Sequence, residues 1–335
     1  MVSCSICGGE LRRRYRKSFG VSFAIDGEHR WYVCIACGHL KVLPELEETV
    51  LRKFWVGETR AEHYQTKEWD TGWHRVIVDE CERFCALFPE PRGGTLLDVG
   101  CGKGWFLKVA QHHGFESCGI EIDPESARIA REKMNLKVYT EWTEGVFPEK
   151  FEWIVANYVL EHQRDGEGFL RFLLSRCAEG GTVLLSLPNA SSLQRRILGR
   201  HWRSLNIPDH IQMYTPKSLG ILLQRLPVQW FEVSMMPDNP LRLAKILRHY
   251  WDVLAPLRWG VRVLGLGETV HRLRSRKDYA RVGLTEGARA DIPTAIRRYL
   301  DSRRSPTSVE RLGRLVDRVF RSLGLSGSMM VRIRK

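Results

Sequence analysis

A chain of 335 residues has room for two or three domains. An apolar fraction of 43% with 27% charged residues is ordinary globular usage, which excludes a wholly disordered, collagen-like or disulfide-packed chain. The net charge of +13 is uneven: residues 240–335 hold 22 Lys and Arg against 8 Asp and Glu, leaving 30 against 31 in the first 239. No uncharged apolar run approaches the roughly 18 residues of a membrane-spanning helix, and no secretory signal opens the sequence. Cysteines arranged as CxxC pairs then fit metal or redox chemistry in a cytoplasmic protein better than structural disulfides.

The first elements are two such pairs, Cys4-Ser-Ile-Cys7 and Cys34-Ile-Ala-Cys37, each followed by Gly. A two-residue spacer lets two thiolates grip one ion from a tight turn, and four of them satisfy tetrahedral zinc. Aromatic and β-branched residues flank Asp26-Gly27 between the pairs, a hairpin signal. Residues 1–45 are therefore expected to form a zinc ribbon on Cys4, Cys7, Cys34 and Cys37. Four sulfur ligands leave no open coordination position, so the zinc is expected to be structural. No βαβ pattern surrounds either pair, which argues against a thioredoxin-like role. A helical connector follows over residues 46–92. Its segment WHRVIVDECERFCALF places Cys81 and Cys85 on one buried face.

Thr95-Leu-Leu-Asp98-Val-Gly100-Cys-Gly102-Lys-Gly104 reads as a short strand turning through three glycines into a helix at Trp105. Such a turn lets backbone approach a ligand and aims free N–H groups at it. A second strand ends in Ile120-Glu121-Ile-Asp123, and an acid at this distance can accept both ribose hydroxyls of an adenosine; Glu121 is the candidate. Further strands are expected near Lys137–Thr140, Phe151–Asn157 and Thr182–Asn189, with helices over Glu125–Met134 and Phe169–Cys177. This alternation implies a doubly wound α/β sheet.

These segments together resemble the class I S-adenosylmethionine-dependent methyltransferases. LLDVGCGKGWFL resembles the family's glycine-rich motif and GIEIDP its acidic motif. FEWIVANYVLEH resembles FDxVxxxxVLEH, and AEGGTVLLSLPN resembles KPGGxLxxxxPN. Glu152 stands in place of the family's Asp, and Ala178-Glu179 in place of Lys-Pro. The likeness is greatest to the small-molecule branch, which resembles ubiquinone-pathway and sugar methyltransferases. It implies a Rossmann-like, seven-stranded sheet over residues 93–235 plus 326–335, whose last strand inserts antiparallel, interrupted by a basic helical insertion over 236–325. It also implies S-adenosylmethionine as cofactor. Asp98, Gly100, Gly102 and Gly104 would surround the methionine portion, Glu121 would hold the ribose, and Trp142 and Thr143 would lie beside the adenine. Asn157 and Glu161 would shape the cofactor site. A Rossmann-type oxidoreductase fits less well, because the loop reads GCGKG and not GxGxxG.

Methyl transfer rests on positioning, with a base needed for some acceptors. In similar enzymes the stretch equivalent to Trp202–Tyr214 covers the acceptor, making His210 the first candidate base and His162 of the LEH motif the second. In the insertion, apolar residues recur at helical spacing over Pro240–Leu264 and Val309–Leu323, with arginines largely off the stripe. Three readings of it stay open: packing on the core or a second subunit, contact with an anionic membrane at its inner face near a lipid-linked substrate, and nucleic-acid binding, the least favoured. The expected reaction is methylation of a small molecule such as a sugar, secondary metabolite or lipid-linked precursor. The alternatives are an RNA methyltransferase gripping phosphates through ribbon and tail, and a non-catalytic cofactor-binding module.

Overall fold

A computed structural model describes residues 2–15, 28–56, 73–88, 93–140, 150–236, 322 and 326–335. The Asp26-Gly27 turn, Trp142, Thr143 and both basic amphipathic segments lie outside these residues.

The N-terminal part is a small antiparallel sheet. β1 (Leu11–Tyr15) pairs with β2 (Arg30–Cys34), which pairs with β3 (Leu40–Leu43). The two arms of the expected hairpin are thus β1 and β2. Helix α1 (Glu48–Val56) follows, burying Leu51 and Phe54, and then α2 (Trp73–Cys85). Cys85 is fully buried on α2.

The larger part is a seven-stranded sheet. Its strands are β4 (Gly94–Val99), β5 (Phe115–Ile120), β6 (Val138–Tyr139), β7 (Phe151–Asn157), β8 (Cys177–Pro188), β10 (Trp230–Met235) and β11 (Ser328–Arg334). Their spatial order is β10-β11-β8-β7-β4-β5-β6, and β4 through β8 are parallel neighbours. β11 inserts antiparallel between β8 and β10, as the C-terminal motif implied. Helices α3 (Trp105–His112), α4 (Pro124–Glu132) and α5 (Gly166–Arg176) connect the parallel strands. Leu96, Leu97, Val99, Ile154, Val155, Leu184 and Leu185 are wholly buried in the central strands, as expected where helices cover both faces.

Two boundaries differ from expectation, each for a local reason. α5 starts at Gly166, earlier than the apolar pattern from Phe169 indicates, because the Asp165 side chain caps it by accepting from the Gly168 N–H (2.9 Å). β8 begins at Cys177, ahead of the Gly180-Gly181 pair, since the register shift opposite Phe151 and Trp153 absorbs those glycines.

The short strand β9 (Gln212–Met213) falls within the expected core by sequence but joins the N-terminal sheet in the structure. It follows α6 (Leu193–Leu198), precedes α7 (Pro216–Leu223), and pairs antiparallel with β3 of the N-terminal sheet. Trp31, Leu40, Val42, Leu46 and Leu51 consequently share one apolar cluster with Trp202, Leu205, Ile207, Ile211 and Met213. Trp31 is fully buried, and its indole N–H donates to Leu205 O (3.0 Å). Burial of one such ring is worth several kcal/mol by the cost of its truncation, about 3–5. The described part of the N-terminal sheet is therefore packed against the Trp202–Met213 segment.

Candidate functional site

Sheet order reverses between β4, which leads outward to β5 and β6, and β7, which leads to β8. Ligands of open α/β sheets bind at the carboxyl ends of strands where this reversal occurs. Here the loop after β4 carries Gly100, Gly102 and Gly104, and the turn after β7 carries Leu160–His162. A Cβ on Gly100 would come within 2.7 Å of Val159 Cγ2, so the two loops touch at the reversal. Gly102 adopts φ +54°, and a Cβ there would meet nothing within 4 Å. The loop thus combines a left-handed backbone with open space in front of it, which is what close approach of a ligand requires.

Asp98 ends β4 at 3% exposure, and its Oδ1 has no hydrogen-bond partner among the described residues. Burial, reinforced by the charge of Glu121, raises its carboxyl to about 8. Glu121 is equally buried, and its two oxygens accept from the Gly102 N–H and the Asp123 N–H, both at 2.8 Å. It thereby clasps the glycine loop to the turn opening α4, whose N-cap is Asp123. Asn157 Oδ1 accepts from the Ser186 hydroxyl (2.8 Å), locking the ends of β7 and β8. Tyr158 follows at φ +55°, a strained setting for an aromatic residue. Its N–H donates to Ser186 O and its hydroxyl lies 2.9 Å from Ser328 Oγ, which holds it there.

Next to this crevice the structure brings His162 and His210 together, their rings stacked at 4.9 Å between centroids. The His162 Nδ1–H donates to Asp209 O, and the His210 Nδ1–H donates to Ser204 O (2.7 Å). Trp55 of α1 packs edge-on against His162 at 4.4 Å. Glu161 completes the group. It is fully buried, and neither carboxylate oxygen has a hydrogen-bond partner among the described residues. Burial, with a smaller contribution from Asp209, pushes its carboxyl well above the ordinary range. The sequence analysis gave Glu161 only a shaping role. The available signal was a charged residue inside the otherwise apolar Val159-Leu160 turn.

The four ribbon cysteines also converge. The sulfurs of Cys4, Cys7, Cys34 and Cys37 all lie within 4.8 Å of one another, with Cys4–Cys37 at 3.8 Å and Cys7–Cys34 at 3.4 Å. Zinc at about 2.3 Å from each sulfur sets tetrahedral edges of about 3.8 Å. The donor set and spacing fit that ion. Both knuckles are docked on α7. Thr215, its N-cap, accepts from the Ser218 N–H and donates its hydroxyl to Cys37 O (2.7 Å). Lys217 Nζ donates to Ala36 O (2.8 Å), and Arg225 donates to Ser5 O (3.2 Å) and Ile6 O.

Residues 70–226 match the family described as a methyltransferase domain. With the sheet order and the motifs, this shows that the chain carries a class I S-adenosylmethionine-dependent methyltransferase domain. Among proteins similar to it is ajmaline N-methyltransferase of Rauvolfia serpentina, 29% identical over 130 residues, 34% of this chain and 45% of that one. The ubiquinone biosynthesis O-methyltransferase of Xanthomonas axonopodis pv. citri is 25% identical over 167 residues, 46% of this chain and 70% of that one. A structural neighbour, a SAM-dependent methyltransferase from Archaeoglobus fulgidus, has a TM-score of 0.45 at 16% identity, covering 82% of this chain and 99% of that one. The chain spans less than half the length of the Rauvolfia enzyme. No helix among the described residues is long and apolar enough to cross a membrane.

Proposed function

We propose that this protein transfers a methyl group from S-adenosylmethionine to a small-molecule acceptor. The observation that carries the reading is the cradle at the sheet reversal: an open, left-handed Gly102 beside a buried Asp98 with an unpartnered oxygen. When bound, S-adenosylmethionine supplies a methyl group on a sulfonium. Asp98 and the Gly100–Gly104 loop would hold its methionine portion, and Glu121 would accept from its ribose. The Leu160–His162 turn touches the glycine loop and is hydrogen-bonded to the Trp202–Tyr214 segment, so the acceptor approaches beside these joined segments and not between them. There His210 and His162 manage the acceptor's proton, with Nδ1 of each ring committed to a backbone carbonyl and Nε2 the nitrogen that can take one. Trp55 packs edge-on against His162, which limits water on that side of the reacting centre. The zinc ribbon, residues 1–45, braces the acceptor segment and does no chemistry.

The test is incubation of purified protein with methyl-labelled S-adenosylmethionine and a fractionated lysate of its host. Label in the small-metabolite fraction is the expected result. Label in RNA, with acceptor binding that weakens steeply with salt, replaces the acceptor class. Absence of cofactor binding by calorimetry overturns the reading.

A further inference from the structure

We propose that Glu161, His162 and His210 form a binding site for a divalent transition-metal cation, separate from the ribbon and facing the acceptor. That such a cation acts on a methyl acceptor rests on the function proposed above; that it binds does not.

Each of the three residues offers one ligand atom, and these atoms lie within 4.8 Å of one another. A first-row cation holds nitrogen and oxygen ligands at about 2.0–2.2 Å, so its ligands sit roughly 3–4 Å apart. Side-chain adjustments of about 1 Å close the set. Two independent features prepare it. Glu161 is buried with both oxygens lacking a hydrogen-bond partner among the described residues, a state that needs either a proton or a cation to neutralise it. Both imidazoles direct Nδ1–H at a backbone carbonyl, Asp209 O and Ser204 O, which fixes the tautomer with its lone pair on Nε2. A backbone carbonyl on the far nitrogen is how proteins commonly orient histidines that ligate metals.

The donor set selects the ion. Two imidazoles and one carboxylate suit iron, cobalt, nickel, manganese or zinc, whereas magnesium and calcium prefer an all-oxygen shell. The Cys4–Cys37 site is all sulfur and closed. The second site has three protein ligands and keeps positions open. Its open positions favour an oxygen-bearing acceptor, whose hydroxyl the cation would acidify. With Nε2 of both rings given to the cation, His162 and His210 would then act as ligands in place of the base role, and the proton would pass to bulk water. This narrows the acceptor class to hydroxyl compounds.

The test begins with protein whose ribbon is zinc-loaded and whose weaker sites have been stripped. Cobalt(II) is titrated in, followed by visible d–d absorption and by metal counting. The expected result is one further cobalt per chain without a thiolate charge-transfer band. Glu161→Gln and His210→Ala should each weaken that uptake about tenfold or more with the zinc count unchanged, thermal melting confirming that at least one of them is folded. No cobalt uptake by the parent protein overturns the site, as does equal uptake by the parent and a folded variant. S-adenosylmethionine binding to the parent is measured separately. Cobalt binding without cofactor binding upholds the site while removing the methyltransferase function.

Discussion

At the scale of single residues, Asp98 sets a conflict between stability and binding. Its folded-state carboxyl titrates at about 8, lifted first by burial and then by Glu121, while an unfolded Asp releases its proton near 4. The folded protein holds the proton longer, so this group costs stability as pH rises between those values. Asp98→Asn is therefore expected to melt above the parent without ligand, with a gap that widens from pH 5 to pH 8. The same variant should lose about tenfold or more in cofactor affinity by calorimetry. If its ligand-free melting is lower than the parent's at pH 8, the assigned burden is wrong. Gly102→Ala probes the cradle itself. A side chain at φ +54° costs about 1–2 kcal/mol, and the added methyl enters the open space. Cofactor affinity should fall at least about tenfold while the melting temperature drops only by a few degrees. The glycines and Glu121 were legible because strand, turn and acid follow each other closely in the sequence. Glu161 was not legible in this way, because His210, which the fold brings within 4.8 Å of it, lies far along the chain.

At the scale of elements, the pairing of β3 with β9 ties the N-terminal sheet to the segment proposed to lie over the acceptor. If the four cysteines hold zinc as proposed, its removal would free the Cys34–Cys37 knuckle, against which Thr215 and Lys217 hold α7. Chelation, or Cys4→Ser, is expected to abolish acceptor turnover while leaving S-adenosylmethionine affinity within about twofold, since the cofactor loops lie on β4 and β5. Equal loss of both would mean that the ribbon supports the whole core. Thr215→Val is a milder version: it removes the cap and the bond to Cys37 O together, at about 1–2 kcal/mol, and should raise the acceptor KM more than it lowers Tm would suggest for a distant surface site. The parallel strands were readable from their continuous apolar runs and the glycines that end them. β9 was not, because two residues carry no periodicity and its partner strand is far upstream. The ribbon was readable as a motif; its docking was not, being written in single polar contacts on α7.

At the scale of the molecule, the sheet closes through its last strand. Met235 lies opposite Met329, and the Met236 N–H donates to Ser328 O (3.1 Å). Met236 and Ser328 are thus neighbours in the sheet although 91 positions separate them in the sequence. We expect residues 237–325 to be replaceable by a short Gly-Ser linker, yielding a protein that still melts cooperatively and binds S-adenosylmethionine. Aggregation of that variant would mean that the excised stretch completes the core. Deleting residues 327–335 is expected to do the opposite, since β11 stands between β8 and β10 and its loss bares two strand edges. Residues 237–325 hold 19 Lys and Arg against 9 Asp and Glu, so their excision lowers the net charge from +13 to +3 and separates any salt-dependent association from methyl transfer. The Met236–Ser328 junction also bears on descent. Its two ends are held together by the sheet whatever runs between them, and the entropy of closing a loop grows only slowly with its length. Such a position behaves as a socket: lineages can lengthen, shorten or exchange what is plugged in there while the chemistry of the crevice is inherited unchanged.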